Sequence, residues 1–137
     1  MKINMYDFDD TIYDGDSSVD FIKYCYKKGY VKFKNILKIM GSFIKYFFGV
    51  IDIIEFKEVL FSFLSNIDDG KKVVNEFWNE HYKNIKKFYL DNNHENDIIN
   101  SASPYFLLEP VCDKLGVKDL IASEVNIKNG KFKGKNN

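Results

Sequence analysis

The hydrophobic pattern sets a long run of helical segments between short extended ones. Residues 2–8, with Ile3, Met5 and Phe8, read as a strand, and residues 9–16 read as a loop turned by Asp14-Gly15. Ser17 followed by Asp20 resembles a capping box ahead of Val19, Phe21, Ile22, Tyr24 and Cys25, which predicts a helix stopping near Gly29. A second helical pattern covers residues 32–48 and stops at Gly49. The third follows Asp52 and carries Ile54, Phe56, Val59, Leu60, Phe63 and Leu64. Asp68 and Asp69 open a fourth, with Val73, Val74, Phe77, Trp78, Tyr82 and Ile85 at roughly helical spacing as far as residue 89.

Beyond this helical block, residues 97–100 read as a strand running into Ser101-Ala102-Ser103-Pro104. Ser103 suits an N-cap and Pro104 the first turn of a helix that would hold Phe106, Leu107, Leu108, Val111, Cys112 and Leu115 and end at Gly116. Residues 119–127 are strand-like, and Asn129-Gly130 predicts a hairpin leading into Lys131-Phe132-Lys133. The layout is strand, helical insertion, strand, helix, strand, hairpin, with no internal repeat and no linker of low complexity.

Composition narrows the function classes. The chain has 137 residues, enough for one domain with a single core, and its 45% hydrophobic and 17% aromatic content exclude a disordered chain. Its 20 basic and 20 acidic residues balance, and every basic one is Lys, so neither an Arg phosphate clamp nor a basic nucleic-acid footprint is expected. Cys25 and Cys112, without a CxxC or a His at ligand spacing, read as reduced core thiols. Acidic residues from Asp7 onward leave no signal-peptide core at the N-terminus, so cytoplasmic residence is expected.

Residues 36–54 are the richest in apolar side chains, but Lys38, Lys45 and Asp52 break them well short of the ~20 residues that span a bilayer. Buried amphipathic helices and no membrane partner are the expectation. The lysines beside the aromatics leave a lipid-facing surface helix as the alternative.

Candidate chemistry sits at two places. Asp7 and Asp9 share one side of an extended backbone at the end of the first strand, and two crowded carboxylates need a cation or a proton. An ordinary acidic turn accounts for them equally well. At the strand-to-helix junction around Ser101, short side chains and free helical N–H groups suit an anion such as phosphate. A plain N-cap is the competing account there.

Together the two sites resemble the haloacid dehalogenase superfamily, in particular its phosphoserine-phosphatase-like branch. Asp7-Phe8-Asp9-Asp10-Thr11 is similar to that family's first motif, Asp-x-Asp-x-Thr/Val, and Ser101 to its second, with Ser-Ala-Ser-Pro at 101–104 as in members of the branch. The resemblance implies an α/β fold: a Rossmann-like core with a partial parallel sheet, formed by residues 1–15 and 91–137, and a helical cap inserted at 16–90 between the first two core strands. It implies a phosphomonoester hydrolase in which Asp7 is the nucleophile and Asp9 the general acid/base. Mg²⁺ would be held by Asp7 and Asp9, the latter through its backbone carbonyl, while Thr11 steadies the loop and Ser101 and Ala102 bind phosphate. The implied substrate is a small phosphorylated metabolite.

Asp10 stands where relatives often carry Gly and reads as a solvated loop residue, Asp16 as a hinge or cap, and His81 and His94, with no partners at ligand spacing, as helix-surface or loop residues. The family's third motif, a Lys, and its fourth, an acidic pair, have no counterpart before Asn137, because Lys131, Lys133 and Lys135 fall too early. The chain is therefore expected to be an incomplete N-terminal portion with its first strand at an exposed edge, or else a catalytically incompetent phosphate- or Mg²⁺-binding module.

Overall fold

The computed structural model describes residues 3–91 and 94–125. Three short parallel strands, β1 (Asn4–Asp7), β2 (Asp97–Pro104) and β3 (Asp119–Ser123), form one sheet in the order β1-β2-β3. Between β1 and β2 lie the helices α1 (Ser17–Lys27), α2 (Phe33–Phe47), α3 (Ile53–Leu60), α4 (Gly70–His81) and the single turn α5 (Lys87–Leu90), with 3₁₀ turns at Ser62–Asn66 and Tyr82–Asn84. Helix α6 (Tyr105–Leu115) connects β2 to β3. This is the mixed α/β architecture, a partial Rossmann-like core, that the sequence predicts.

Carboxylates start the helices. Asp16, Asp52 and Asp69 each accept a hydrogen bond from the backbone N–H three residues on, satisfying donors that the first turn leaves open. The cap of α1 is thus Asp16 and not Ser17, and α6 starts from Pro104, not Ser103, so both serine side chains are released for other bonds. The fourth helical pattern breaks after residue 81, because Ile85 bridges to Tyr13 and the Lys86 N–H donates to the Ile12 carbonyl at 2.7 Å. A second bond, from the Asp14 N–H to the Asn84 carbonyl (2.8 Å), completes a double stem where the chain leaves the sheet and returns.

One apolar core joins the sheet to the helices. Phe8, Phe21, Phe61, Phe77 and Phe106 are buried in it, meeting largely edge to face, and the Trp78 indole N–H donates to the Leu107 carbonyl at 2.7 Å. Tyr6, Ile99 and Leu120 are in register on the sheet face that meets this core. Ile3, Met5 and Ile121 lie on the opposite face and are exposed, with β1 at the edge of the sheet among the described residues. Parallel sheets are ordinarily covered on both faces.

Two expectations need correction. The helices of residues 36–54 are not buried: Met40, Phe43, Ile44, Phe47 and Phe48 are all exposed, because α2 packs mainly on α3 and the pair projects from the core. His94 lies in the loop before β2, one of its two expected settings, but it is not at the surface. It is buried, its ring stacks on Tyr89 with centroids 3.6 Å apart, and Nδ1 lies 2.7 Å from Asp97 Oδ2 while Nε2 faces the Tyr89 carbonyl. Asp97 also accepts from the Tyr89 hydroxyl (2.9 Å) and Asn4 Nδ2 (3.3 Å). His81 stays half-buried, stacked on Phe77. The hairpin expected at Asn129-Gly130, the end of the strand expected over residues 119–127, and Lys131, Lys133 and Lys135 lie outside the described residues.

Asp97→Ala strands the buried His94 and Tyr89 without their shared acceptor and should cost about 3 kcal/mol or more of unfolding free energy in urea. Burial pushes the free thiols of Cys25 and Cys112 up from 9.0 to about 12 each. The native state favours their neutral form, so their contribution to stability is intact below pH 9 and is lost as pH rises towards 12. Neither thiol should react with a maleimide at about pH 8 in the native chain, and both should do so in denaturant.

Candidate active site

The cleft forms where β1 and β2 end side by side, the customary ligand position in open parallel sheets. It measures about 460 Å³ and is lined by Asp7, Phe8, Asp9, Asp16, Asn100, Ser101 and Ala102. Four of the sequence-predicted residues, Asp7, Asp9, Ser101 and Ala102, therefore come together although about ninety positions separate the two motifs.

Backbone geometry after β1 explains how. The Phe8 carbonyl accepts from the N–H groups of Thr11 (3.2 Å), Ile12 (2.9 Å) and Tyr13 (2.9 Å), curling the chain into one tight turn. Asp10 sits at φ 60° in the left-handed region, where a residue with a Cβ is strained, and its N–H donates to the Gly15 carbonyl at 2.9 Å. Gly15 at φ +116° could not be replaced without strain. Thr11 does not line the cleft; its N–H helps close this turn.

Asp9 is the best-connected side chain of the site. Oδ1 accepts from the Ser17 N–H at 2.8 Å and the Ser17 hydroxyl at 2.6 Å, which places the carboxylate on the N-terminus of α1, where the helix dipole favours negative charge. Oδ2 accepts from the Ser103 hydroxyl at 2.6 Å and, more weakly, from Ser101 at 3.5 Å. The Ser18 hydroxyl donates in turn to Ser103 at 2.8 Å. Asp7, by contrast, is exposed at the strand end, and its carboxylate has no hydrogen-bond partner among the described residues.

The β2–β3 ladder shifts register between Asn100 and Pro104, so residues 101–103 of β2 interrupt the regular pairing with β3. The Ser103 N–H donates back to the Ser101 hydroxyl (3.0 Å), and alternation carries the hydroxyls of residues 101 and 103 to the same carboxylate. Lys57 of α3 reaches over this bend: its Nζ donates to the Ala102 carbonyl (2.6 Å) and to Ser123 Oγ (2.9 Å), and burial lowers its pKa.

Sequence reading missed Ser17, Ser103, Asn100 and Lys57. Ser17 and Ser103 each fit the local pattern of a helix cap, and Lys57 lies 45 positions from its partner, a separation no local pattern reports. The donor set fits a hard cation chemically, since the cleft lining includes the carboxylate-bearing residues Asp7, Asp9 and Asp16. Among the described residues no group of three or more acidic, His or Cys side chains converges on one point.

A sequence profile of haloacid dehalogenase-like hydrolases matches residues 5–136. Two solved structures share the fold. One, a protein of unknown function from Bordetella pertussis Tohama I, is 16% identical with a TM-score of 0.72, over 97% of this chain and 65% of that one. The other, a phosphoserine phosphohydrolase-like protein from Francisella tularensis subsp. tularensis SCHU S4, is 18% identical with a TM-score of 0.53, over 97% of this chain and 63% of that one. The chain thus spans less than two thirds of the length of either. No curated protein matches it.

Ser103→Ala removes a hydroxyl donated to a carboxylate and leaves Ser18 without its acceptor. Its expected cost is about 1–3 kcal/mol in urea unfolding, and the same range applies to Ser17→Ala, which keeps the N–H bond but loses the hydroxyl bond.

Proposed function

The chain belongs to the haloacid dehalogenase-like hydrolase family, and from that membership we propose that it is the nucleophile-bearing portion of a phosphomonoester hydrolase acting through a phosphoaspartate on Asp7. The observation that carries this reading is the contrast between the two carboxylates: Asp7 faces the cleft unpartnered among the described residues, while both oxygens of Asp9 are held by serines.

In the proposed reaction an Asp7 oxygen attacks phosphorus, the bond from phosphorus to the leaving oxygen breaks, and Asp9 gives that oxygen a proton. Asp9 then takes a proton from the water that attacks the phosphoaspartate, releasing phosphate and restoring the Asp7 carboxylate. To carry a proton, Asp9 must release one of the bonds it accepts, and Ser103 is the natural one, since its hydroxyl also has Ser18 as a neighbour. Ser17 and Ser103 are positioning residues in this scheme. Ser101 and the Ala102 N–H would hold phosphate oxygens, with Thr11 closing the turn beneath them.

The Asp7 carboxylate and the Asp9 backbone carbonyl are the groups that would hold Mg²⁺. When bound there, the ion would shield the negative charge of phosphate from the anionic nucleophile. The helical segment between the double stem at Ile12-Tyr13 and Ile85-Lys86 would serve as the cap, with Lys57 as its contact to the phosphate-side bend. A small phosphorylated metabolite is the proposed substrate class.

A second reading, in which the cleft binds phosphate or Mg²⁺ without turnover, draws on the cleft lining. No lysine is among its described residues to offset the charge of a bound phosphate.

The test is hydrolysis of p-nitrophenyl phosphate, with and without Mg²⁺, by the chain with a segment bearing the family's third and fourth motifs supplied in cis or in trans. The hydrolase reading predicts turnover that a chelator abolishes and that Asp7→Asn reduces by about 10³-fold or more. The binding reading predicts Mg²⁺-dependent phosphate binding in calorimetry with no turnover.

A further inference from the structure

The chain balances 20 basic against 20 acidic residues, yet the segment between Asp20 and Asp52 holds seven lysines and no acidic residue. Within that segment α2 carries Phe33, Leu37, Met40, Ile44 and Phe47, spaced four, three, four and three apart, so they form one stripe along the helix. The stripe is outward. Phe33 and Phe47 are 73% and 74% exposed, and Leu37, Met40 and Ile44 lie between 53% and 57%. At the turn that follows, Phe48 is 74% and Val50 69% exposed, extending the apolar surface to the tip of the α2–α3 hairpin. Lys34, Lys38 and Lys45 each follow a stripe residue by one position, so they border it along one side. Near Met40 the stripe meets an apolar groove of about 380 Å³ between α1 and α2, lined by Ile22, Tyr26, Val31, Ile36 and Ile39 and edged by Lys23 and Lys27.

We propose that the α2–α3 hairpin docks on an anionic lipid surface, with the α2 stripe and the Phe47-Phe48 tip in the interfacial layer and the lysines on lipid phosphates. Charge decides the occupant. Apposing this face on a second copy would bring the same lysine-rich, acid-free segment against itself, whereas an anionic bilayer offers negative charge and an apolar layer together. Lysine stems can lie along the apolar boundary with their ammonium groups at headgroup level. Length decides the orientation. At 15 residues α2 spans about 22 Å, less than the ~30 Å hydrocarbon core, and no described helix is long and apolar enough to cross a membrane, so α2 lies in the interface. The inference does not depend on the phosphatase reading, because no residue of the cleft takes part.

The experiment is co-sedimentation of the 137-residue chain with vesicles of phosphatidylcholine alone or mixed with phosphatidylglycerol. Binding to the mixed vesicles and little to the neutral ones is expected, weakening with added salt. Replacing Ile44 and Phe47 together by Ser should lower binding at least about tenfold. Replacing Lys34, Lys38 and Lys45 by Gln should remove the preference for anionic vesicles. Both variants change exposed side chains, and unchanged circular dichroism and urea midpoints establish that they fold. Absence of binding, equal binding to neutral vesicles, or undiminished binding by the Ser variant overturns the proposal. So does a stable dimer in sedimentation velocity that the Ser variant dissociates, since that assigns the stripe to a second copy.

Discussion

The Asp9 carboxylate is the interaction on which the site depends. Its oxygens collect the first N–H and hydroxyl of α1 from one side and the Ser103 hydroxyl at the end of β2 from the other. Two neighbouring parts of the chain, the turn after β1 and the start of the helical segment, are fixed to the distant second motif through one anion. Hydrogen bonds to a charged partner are among the stronger ones available, and a buried hydroxyl deprived of such a partner is costly. Asp7 is left out of this arrangement, and the cleft takes its chemical asymmetry from that.

The helical segment is connected to the cleft twice more. Its entry and exit run together at Tyr13 and Ile85, directly below the turn that carries Asp9 and Asp10, and Tyr13 is further held by its hydroxyl bond to Asp20 at 2.7 Å. Burial and the neighbouring Asp20 raise the Tyr13 hydroxyl pKa, so it stays a donor. Lys57 contacts the other wall through the Ala102 carbonyl and Ser123. A displacement of α3 relative to the sheet would therefore be felt first at residues 101–103.

Much of this was legible in the sequence, for identifiable reasons. Turn and cap residues report local geometry, so the Asp52 and Asp69 caps and the helix stops before Gly29, Gly49 and Gly116 follow from short-range chemistry. The two motifs were legible because each is contiguous. Ser17 and Ser103 were misassigned as caps because a serine before a helix satisfies the same local rule whether its hydroxyl bonds to its own backbone or to a distant carboxylate. His94 was missed because Tyr89 and Asp97, though only five and three residues away, belong to no helical or strand period that brings them onto its ring. The exposure of α2 was misjudged because periodicity identifies an apolar face without saying what covers it.

In the proposed reaction Asp7 takes the phosphoryl group. The most direct measurement is to quench the chain in acid during turnover of a phosphomonoester with Mg²⁺, reduce with borohydride and map the peptides by mass spectrometry. A phosphoaspartate at position 7 predicts homoserine at that position and nowhere else, absent when substrate is omitted. Turnover that leaves Asp7 unreduced, or that places the reduced residue at Asp9 or elsewhere, contradicts the assignment.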